Sequence, residues 1–155
     1  MRSLVILLVL LLTACSAGPS YEVSRFTGVA VARSGLDTID WTYPSRFEAE
    51  AAILQAGPDR LYVLNIAVTR SDRNYPKISS VWVPGREVQY TLLDERRVFT
   101  DRQEVGYITL NRATFETAAQ EGFDLSLISP RTSHHGHVPA EVFARALAVV
   151  TPAGS

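Results

Sequence analysis

Leu61-Tyr62-Val63-Leu64-Asn65-Ile66-Ala67-Val68-Thr69 alternates along its length, with Tyr62, Leu64, Ile66 and Val68 on one face. Period two marks a strand, because successive side chains of a pleated backbone point to opposite sides. Helical geometry would scatter the same four residues around a cylinder, so the stretch predicts a strand with one face in a core. Just before it stands Gly57-Pro58-Asp59, a turn signal, and before that Phe47, Ala49, Ala51 and Ile53 also alternate. A helix competes for residues 46–56: Ser45-Arg46-Phe47-Glu48 fits a capping box, and Glu48 to Ala56 is rich in helix formers. The hairpin is the preferred reading, since the strand at 61–69 needs a neighbour.

Strand patterns recur on both sides of this pair. Phe26–Arg33 is β-rich, and Ile78–Val83 and Glu87–Leu93 flank Pro84-Gly85 as a second hairpin. Glu104–Leu110 and Phe123–Ile128 complete the set; in the latter Phe123, Leu125 and Leu127 alternate with Asp124 and Ser126. Two segments read as helices. Asn111 can cap one running to Glu121, with Gly122 at its end and Leu110 and Phe115 at staple spacing. Pro139 starts the other, whose apolar stripe is Val142, Phe143, Ala146, Leu147 and Val150, with Glu141 and Arg145 on the opposite face. Phe143 and Leu147 are both expected to be buried. The expected fold is therefore α+β, a small antiparallel sheet with about two helices packed on one face. One domain spans residues 23–150, followed by a tail at 151–155.

The chain has 155 residues, 46% hydrophobic and 20% charged, with a formal net charge of -1. That length suits one domain, and the composition excludes a coiled-coil rod or a collagen-like polymer. Near-neutral charge argues against nucleic acid, whose phosphates demand a basic excess.

The N-terminus differs in kind. After Arg2, Leu4 to Leu12 is an unbroken aliphatic run, which at about 1.5 Å per helical residue covers roughly half of a ~30 Å hydrocarbon core. It suits the apolar region of a secretory signal rather than a membrane span. The run ends in Leu12-Thr13-Ala14-Cys15, followed by Ser16. These residues resemble the lipobox of a bacterial lipoprotein with a type II signal peptide. The resemblance implies a signal peptide over 1–14, and a diacylglycerol on Cys15, which becomes the mature N-terminus. A lipidated N-terminus and tether would occupy 15–22, where Gly18 and Pro19 break any periodicity. Serine rather than aspartate at position 16 implies sorting to the outer membrane of a Gram-negative bacterium, on its periplasmic side. Cys15 is the only cysteine, so the exported domain holds no disulfide. The run from Tyr107 to Leu147 also resembles the C-terminal part of small, uncharacterised proteobacterial lipoproteins, a likeness that carries no activity to particular residues.

Candidate chemistry is sparse. His134, His135 and His137, all the histidines of the chain, lie in Ser133-His134-His135-Gly136-His137. In an extended chain His135 and His137 share a side and could bind Zn²⁺ or Cu²⁺, but Glu141 is the nearest carboxylate to complete a site. A solvated polar loop is the preferred reading, with no metal or cofactor assigned. Asp37 and Asp40 near Trp41 and Tyr43 could line a sugar-binding or hydrolytic cleft, against the plainer reading of an ordinary surface. Asp94-Glu95-Arg96-Arg97 reads as a solvated turn or edge. Trp82 and Tyr90 serve either core packing or an aromatic surface for a partner, with packing preferred. No Gly-rich phosphate loop, Gly-x-Ser-x-Gly elbow, His-Glu-x-x-His or Cys-x-x-Cys occurs. The expectation is a non-enzymatic, membrane-anchored periplasmic module for an envelope protein partner, with a ligand- or metal-binding module at His134–His137 as the alternative. Mass spectrometry of the mature N-terminus is expected to find an acylated Cys15, and Cys15→Ala to leave the precursor held by its uncleaved signal. An unmodified mature terminus elsewhere overturns the lipobox assignment.

Overall fold

Ser45–Ala56 and Asp59–Arg70 pair along their whole length, from Ser45 opposite Arg70 to Ala56 opposite Asp59, across the two-residue turn Gly57-Pro58. The hairpin therefore prevails over the helix at 46–56. Pairing hands each residue of the segment a cross-strand partner, and it buries Phe47, Ala49, Ala51 and Ile53 against Val68, Ile66, Leu64 and Tyr62. A lone capping box cannot match that burial. The computed structural model describes residues 18–42, 45–71, 77–130 and 132–150, those at 41, 42 and 132 by backbone alone. The proposed signal peptide, Cys15, Ser16, Tyr43 and the 151–155 tail lie outside the described residues.

In chain order the strands are β1 (Ser20–Val23), β2 (Ala30–Arg33), β3 (Asp37–Thr42), β4 (Ser45–Ala56), β5 (Asp59–Arg70), β6 (Ser80–Val83), β7 (Arg86–Val88), β8 (Tyr90–Val98), β9 (Asp101–Leu110), β10 (Phe123–Ser129) and β11 (Thr132–Val138). The helices are α1 (Arg112–Glu121) and α2 (Ala140–Val150). The large sheet runs β1-β2-β4-β5-β9-β8, with β3 also paired to β4; a second sheet runs β11-β10-β6-β7, and every pairing is antiparallel.

This corrects the expected α+β fold with one small sheet. The described residues form a mostly-β domain of two antiparallel sheets, in which the two helices are a minor share. Three local facts explain the difference. The stretch read as one strand, Glu87–Leu93, breaks at Gln89, so β7 stays with β6 while β8 crosses to the edge of the large sheet. The histidine segment read as a loop is strand β11, paired with β10 from Phe123–Val138 to Ser129–Thr132. Residues 37–42, with no expected element, form β3 along the first half of β4. The segment read as a tether also ends earlier, because Ser20–Val23 pairs with Ala30–Arg33 as β1. Phe26–Arg33 shortens to β2, since Ser24–Gly28 close a turn in which the Gly28 N–H donates to Ser24 O.

One face of the large sheet, carrying Phe47, Ala51, Leu64, Ile66 and Ile108, meets both helices and the inner side of the small sheet in a single core. The opposite face holds a smaller cluster of Val29, Val31, Ala52, Leu54 and Val63. Asn111 caps α1 as expected, its side chain accepting from the Thr114 N–H at 2.7 Å, and Gly122 closes it at φ 81°, a left-handed value that favours glycine. The Gly122 N–H returns to Ala118 O. Phe115 lies between Tyr62 and Phe143 in the core, its ring centroid 5.2 Å from each, tilted against the first and edge-on to the second. Phe143 is fully buried, whereas Leu147, expected to be buried with it, is only partly so. Arg145 ion-pairs with Asp37 of β3, not with Glu141, tying α2 to the large sheet.

Close approach of the layers depends on Gly136. A Cβ there would lie 2.6 Å from the Phe47 ring, so only glycine lets β11 settle over β4. Phe143→Ala is expected to cost about 3–5 kcal/mol, a large part of the roughly 5–15 kcal/mol of a domain this size. A thermal melt unchanged from wild type would show that α2 does not carry the core.

Candidate functional site

The three histidines separate across the two faces of β11. His135 and His137 stand on its outer face, and His134 turns inward to the space between the sheets. Strand alternation alone produces this split.

On the outer face of the small sheet one row crosses all four strands: Glu87 of β7, Trp82 of β6, Ser126 of β10 and His135 of β11 are cross-strand partners. Asp124 and His137 form the next row. Ser126 Oγ and His135 Nδ1 share a hydrogen bond of 2.7 Å, and Ser133 Oγ lies 3.3 Å from His135 Nε2. The imidazole Nδ1 of His137 donates to Asp124 Oδ1 at 2.7 Å. The other edge of that ring packs on Gly122, where an added Cβ would stand 2.4 Å from Nε2. Trp82 is 45% exposed, and its indole N–H donates to Ser80 Oγ at 3.2 Å, which fixes the ring. Trp82, Pro84, Asp124, Ser126, His135 and His137 line an open groove of about 430 Å³. A second hollow of about 360 Å³ shares Pro84, Asp124 and His137 with it and continues over Thr117 and Glu121 of α1.

The inner end of the small sheet meets a cluster of ionisable groups. Glu104 of β9, buried, accepts from the Ile78 N–H at 3.2 Å and from the Tyr90 hydroxyl at 3.3 Å. Tyr90 reaches it by lying across Gly106, where a Cβ would stand 2.4 Å from the ring. Arg70, also buried, donates to Ser129 Oγ at 3.4 Å. Burial raises the Glu104 carboxyl above its ordinary range, against the pull of the Ile78 N–H and of Arg70. Burial, reinforced by Arg70, holds the His134 imidazole below its ordinary value, while Asp40 opposes the shift. Burial likewise raises Glu50, which accepts from Asn65 Nδ2 at 3.1 Å on the far face of the sheet.

The other sequence candidates separate. Tyr90 packs inside and Trp82 faces out, so the aromatic pair divides between the two roles weighed for it. Asp37 pairs with Arg145 and Asp40 acts on His134, so these two carboxylates serve different partners rather than one cleft. Asp94-Glu95-Arg96-Arg97 lies in edge strand β8, where Lys77, foremost, and Arg102 hold the Glu95 carboxyl below its ordinary range. Both ring nitrogens of His135 face serine hydroxyls and Nδ1 of His137 bonds Asp124, and among the described residues no group of three or more His, Cys, Asp or Glu is placed to hold a metal. Sequence reasoning passed over Arg70 and Glu104. Their signal was phase: each continues the core-facing alternation of its strand as a charge.

The fold and site thus define a two-sheet, mostly-β domain with an aromatic and polar groove on its smaller sheet. Compared with known protein families, with curated proteins and with solved structures, the chain matches none.

The inner cluster sets opposed pH responses. Unfolding frees Glu104 to release its proton at lower pH, so the native state gains stability as pH falls through its raised folded pKa. His134 does the reverse: the unfolded chain takes up the proton first, and stability falls as pH drops below about 6.5. Melting temperatures between about pH 7.5 and 4 are expected to show a smaller loss below about pH 6.5 in His134→Gln than in wild type, and a smaller acid gain in Glu104→Gln. Profiles parallel to wild type in both variants overturn the assignment.

Proposed function

We propose that the chain is a lipoprotein of the bacterial envelope, held on the periplasmic side of the outer membrane through acylated Cys15. Its domain acts as a non-enzymatic module that docks another envelope component on the outer face of the small sheet. The lipobox residues Leu12-Thr13-Ala14-Cys15 support the anchor. At ~0.8 kcal/mol for each buried methylene, two or three acyl chains suffice for firm attachment.

The observation that carries the docking role is Trp82. A large aromatic side chain held in a fixed orientation at 45% exposure forgoes core burial that a β-sheet readily provides. The groove around it is open, which suits a surface ligand better than a sequestered reaction. Histidine geometry points the same way. One imidazole bonds serine and the other bonds aspartate, whereas a hydrolytic triad needs a single imidazole bridging both.

Site-specific photocross-linking in intact cells tests this reading. Benzoylphenylalanine in place of Trp82 is expected to give a specific adduct, whereas the same group in place of Leu92, exposed on the large sheet, is not. Adducts from Leu92 alone, or from neither position, overturn the assignment of this face.

A further inference from the structure

Trp82 is the one large exposed hydrophobic residue on this face among the described residues; Ser126, Asp124, His135 and His137 beside it are polar, and Val83, Pro84 and Leu125 add smaller apolar surface to the groove. A stable protein–protein interface needs a contiguous apolar centre, which a single indole does not supply. An added peptide strand would pair along the backbone edge of β11, whereas Trp82, on β6 between β10 and β7, presents its side chain alone. A ligand seated on the Trp82 ring itself is best matched by one flat apolar surface flanked by hydroxyls. No lysine or arginine lines either hollow, while Asp124 and Glu121 do, so a polyanion is disfavoured by charge.

We infer that the groove binds an uncharged saccharide chain. This rests on the docking role of the same face. The axial C–H groups of a pyranose ring make an apolar face that stacks on the indole of Trp82, whose N–H is already committed to Ser80. Asp124 has Oδ1 on His137, which orients the carboxylate and leaves its second oxygen to accept sugar hydroxyls. Ser126 and His135, joined through one ring nitrogen, add a hydroxyl beside the stacking platform. Length is provided as well. The two hollows, about 430 and 360 Å³, each have the volume of a ligand cleft and share Pro84, Asp124 and His137 in their linings. Side by side they extend the surface from the sheet toward α1, which suits several linked rings rather than one.

The test titrates the detergent-solubilised, full-length lipoprotein with cellohexaose and with the N-acetylglucosamine hexamer in a calorimeter. Saturable binding of at least one is expected, weakened about tenfold or more in Trp82→Ala, as for a central aromatic contact, and restored in part by Trp82→Tyr. Asp124→Asn is expected to weaken binding with Trp82 intact. Melting temperatures near wild type in these variants separate lost binding from lost folding. Absence of saturable binding by both hexamers overturns the inference, as does binding unaffected by Trp82→Ala. If both hexamers fail while position 82 still cross-links a protein in cells, the docking reading stands and the saccharide assignment falls. Should position 82 cross-link nothing as well, both fall.

Discussion

The pairing of Ser45–Ala56 with Asp59–Arg70 is the constraint on which the remaining elements depend. Its register sets the phase of two long strands at once, so Phe47 to Ile53 and Tyr62 to Val68 face the same way. A slip of one residue would turn one of the two rows to the opposite face. The outer edge of β4 is then shared between β2 and β3, and the outer edge of β5 is taken by β9 from Tyr62 to Arg70. Both faces are covered near the centre: apolar residues fill one, while Glu50, Asn65 and Arg33 are buried beside the second cluster on the other. Burying ionisable groups without pairing would be costly. Burial raises the Glu50 pKa, and Arg33 and the Asn65 amide that donates to it oppose the rise, which shows how that face tolerates the group.

Local signals were legible and long-range ones were not. Alternation at Leu61–Thr69, the caps at Asn111 and Gly122, and the Pro84-Gly85 turn each act within a few residues, so the sequence displays them directly. The division into two sheets was hidden, because it depends on where the chain changes layer. Gln89 carries no mark of that crossing; its role follows only from the core position that Tyr90 finds across Gly106. The histidine segment gave no strand signal either, since glycine and histidine are poor strand formers in isolation. Its strand is imposed by β10 on one side and by the Phe47 ring over Gly136 on the other. Helical spacing set Glu141 and Arg145 on one face of α2, but the carboxylate that Arg145 meets is that of Asp37, 108 residues away.

For the site, half of the geometry was present in the sequence. Asp124 and Ser126 alternated against Phe123, Leu125 and Leu127, which placed them outward, and extended backbone placed His135 and His137 on a common side. Joining the two rows required the register of β10 with β11, which no pattern in a single sequence encodes. That register also separates two chemistries inside one short segment. Outward, the imidazoles bond hydroxyl and carboxylate neighbours at the groove. Inward, His134 meets Arg70 and Asp40 near Glu104, where burial dominates its titration.

Rigidity is what makes the outer face suitable for recognition. Trp82 sits on a four-residue strand, but that strand is held by β10 on one side and by a tight hairpin to β7 on the other. Ser80 fixes the indole, Asp124 fixes His137, and Ser126 fixes His135, so few rotamers remain to be frozen when a ligand arrives. Ordering flexible side chains costs about 0.5–1.5 kcal/mol each on association, and a face that has already lost that freedom on folding keeps more of its contact energy as affinity. The internal hydrogen bonds have a second consequence. They engage both ring nitrogens of His135 and Nδ1 of His137 while leaving the indole face and a carboxylate oxygen available. The arrangement therefore favours a ligand recognised by shape and hydroxyl groups over one held by coordination.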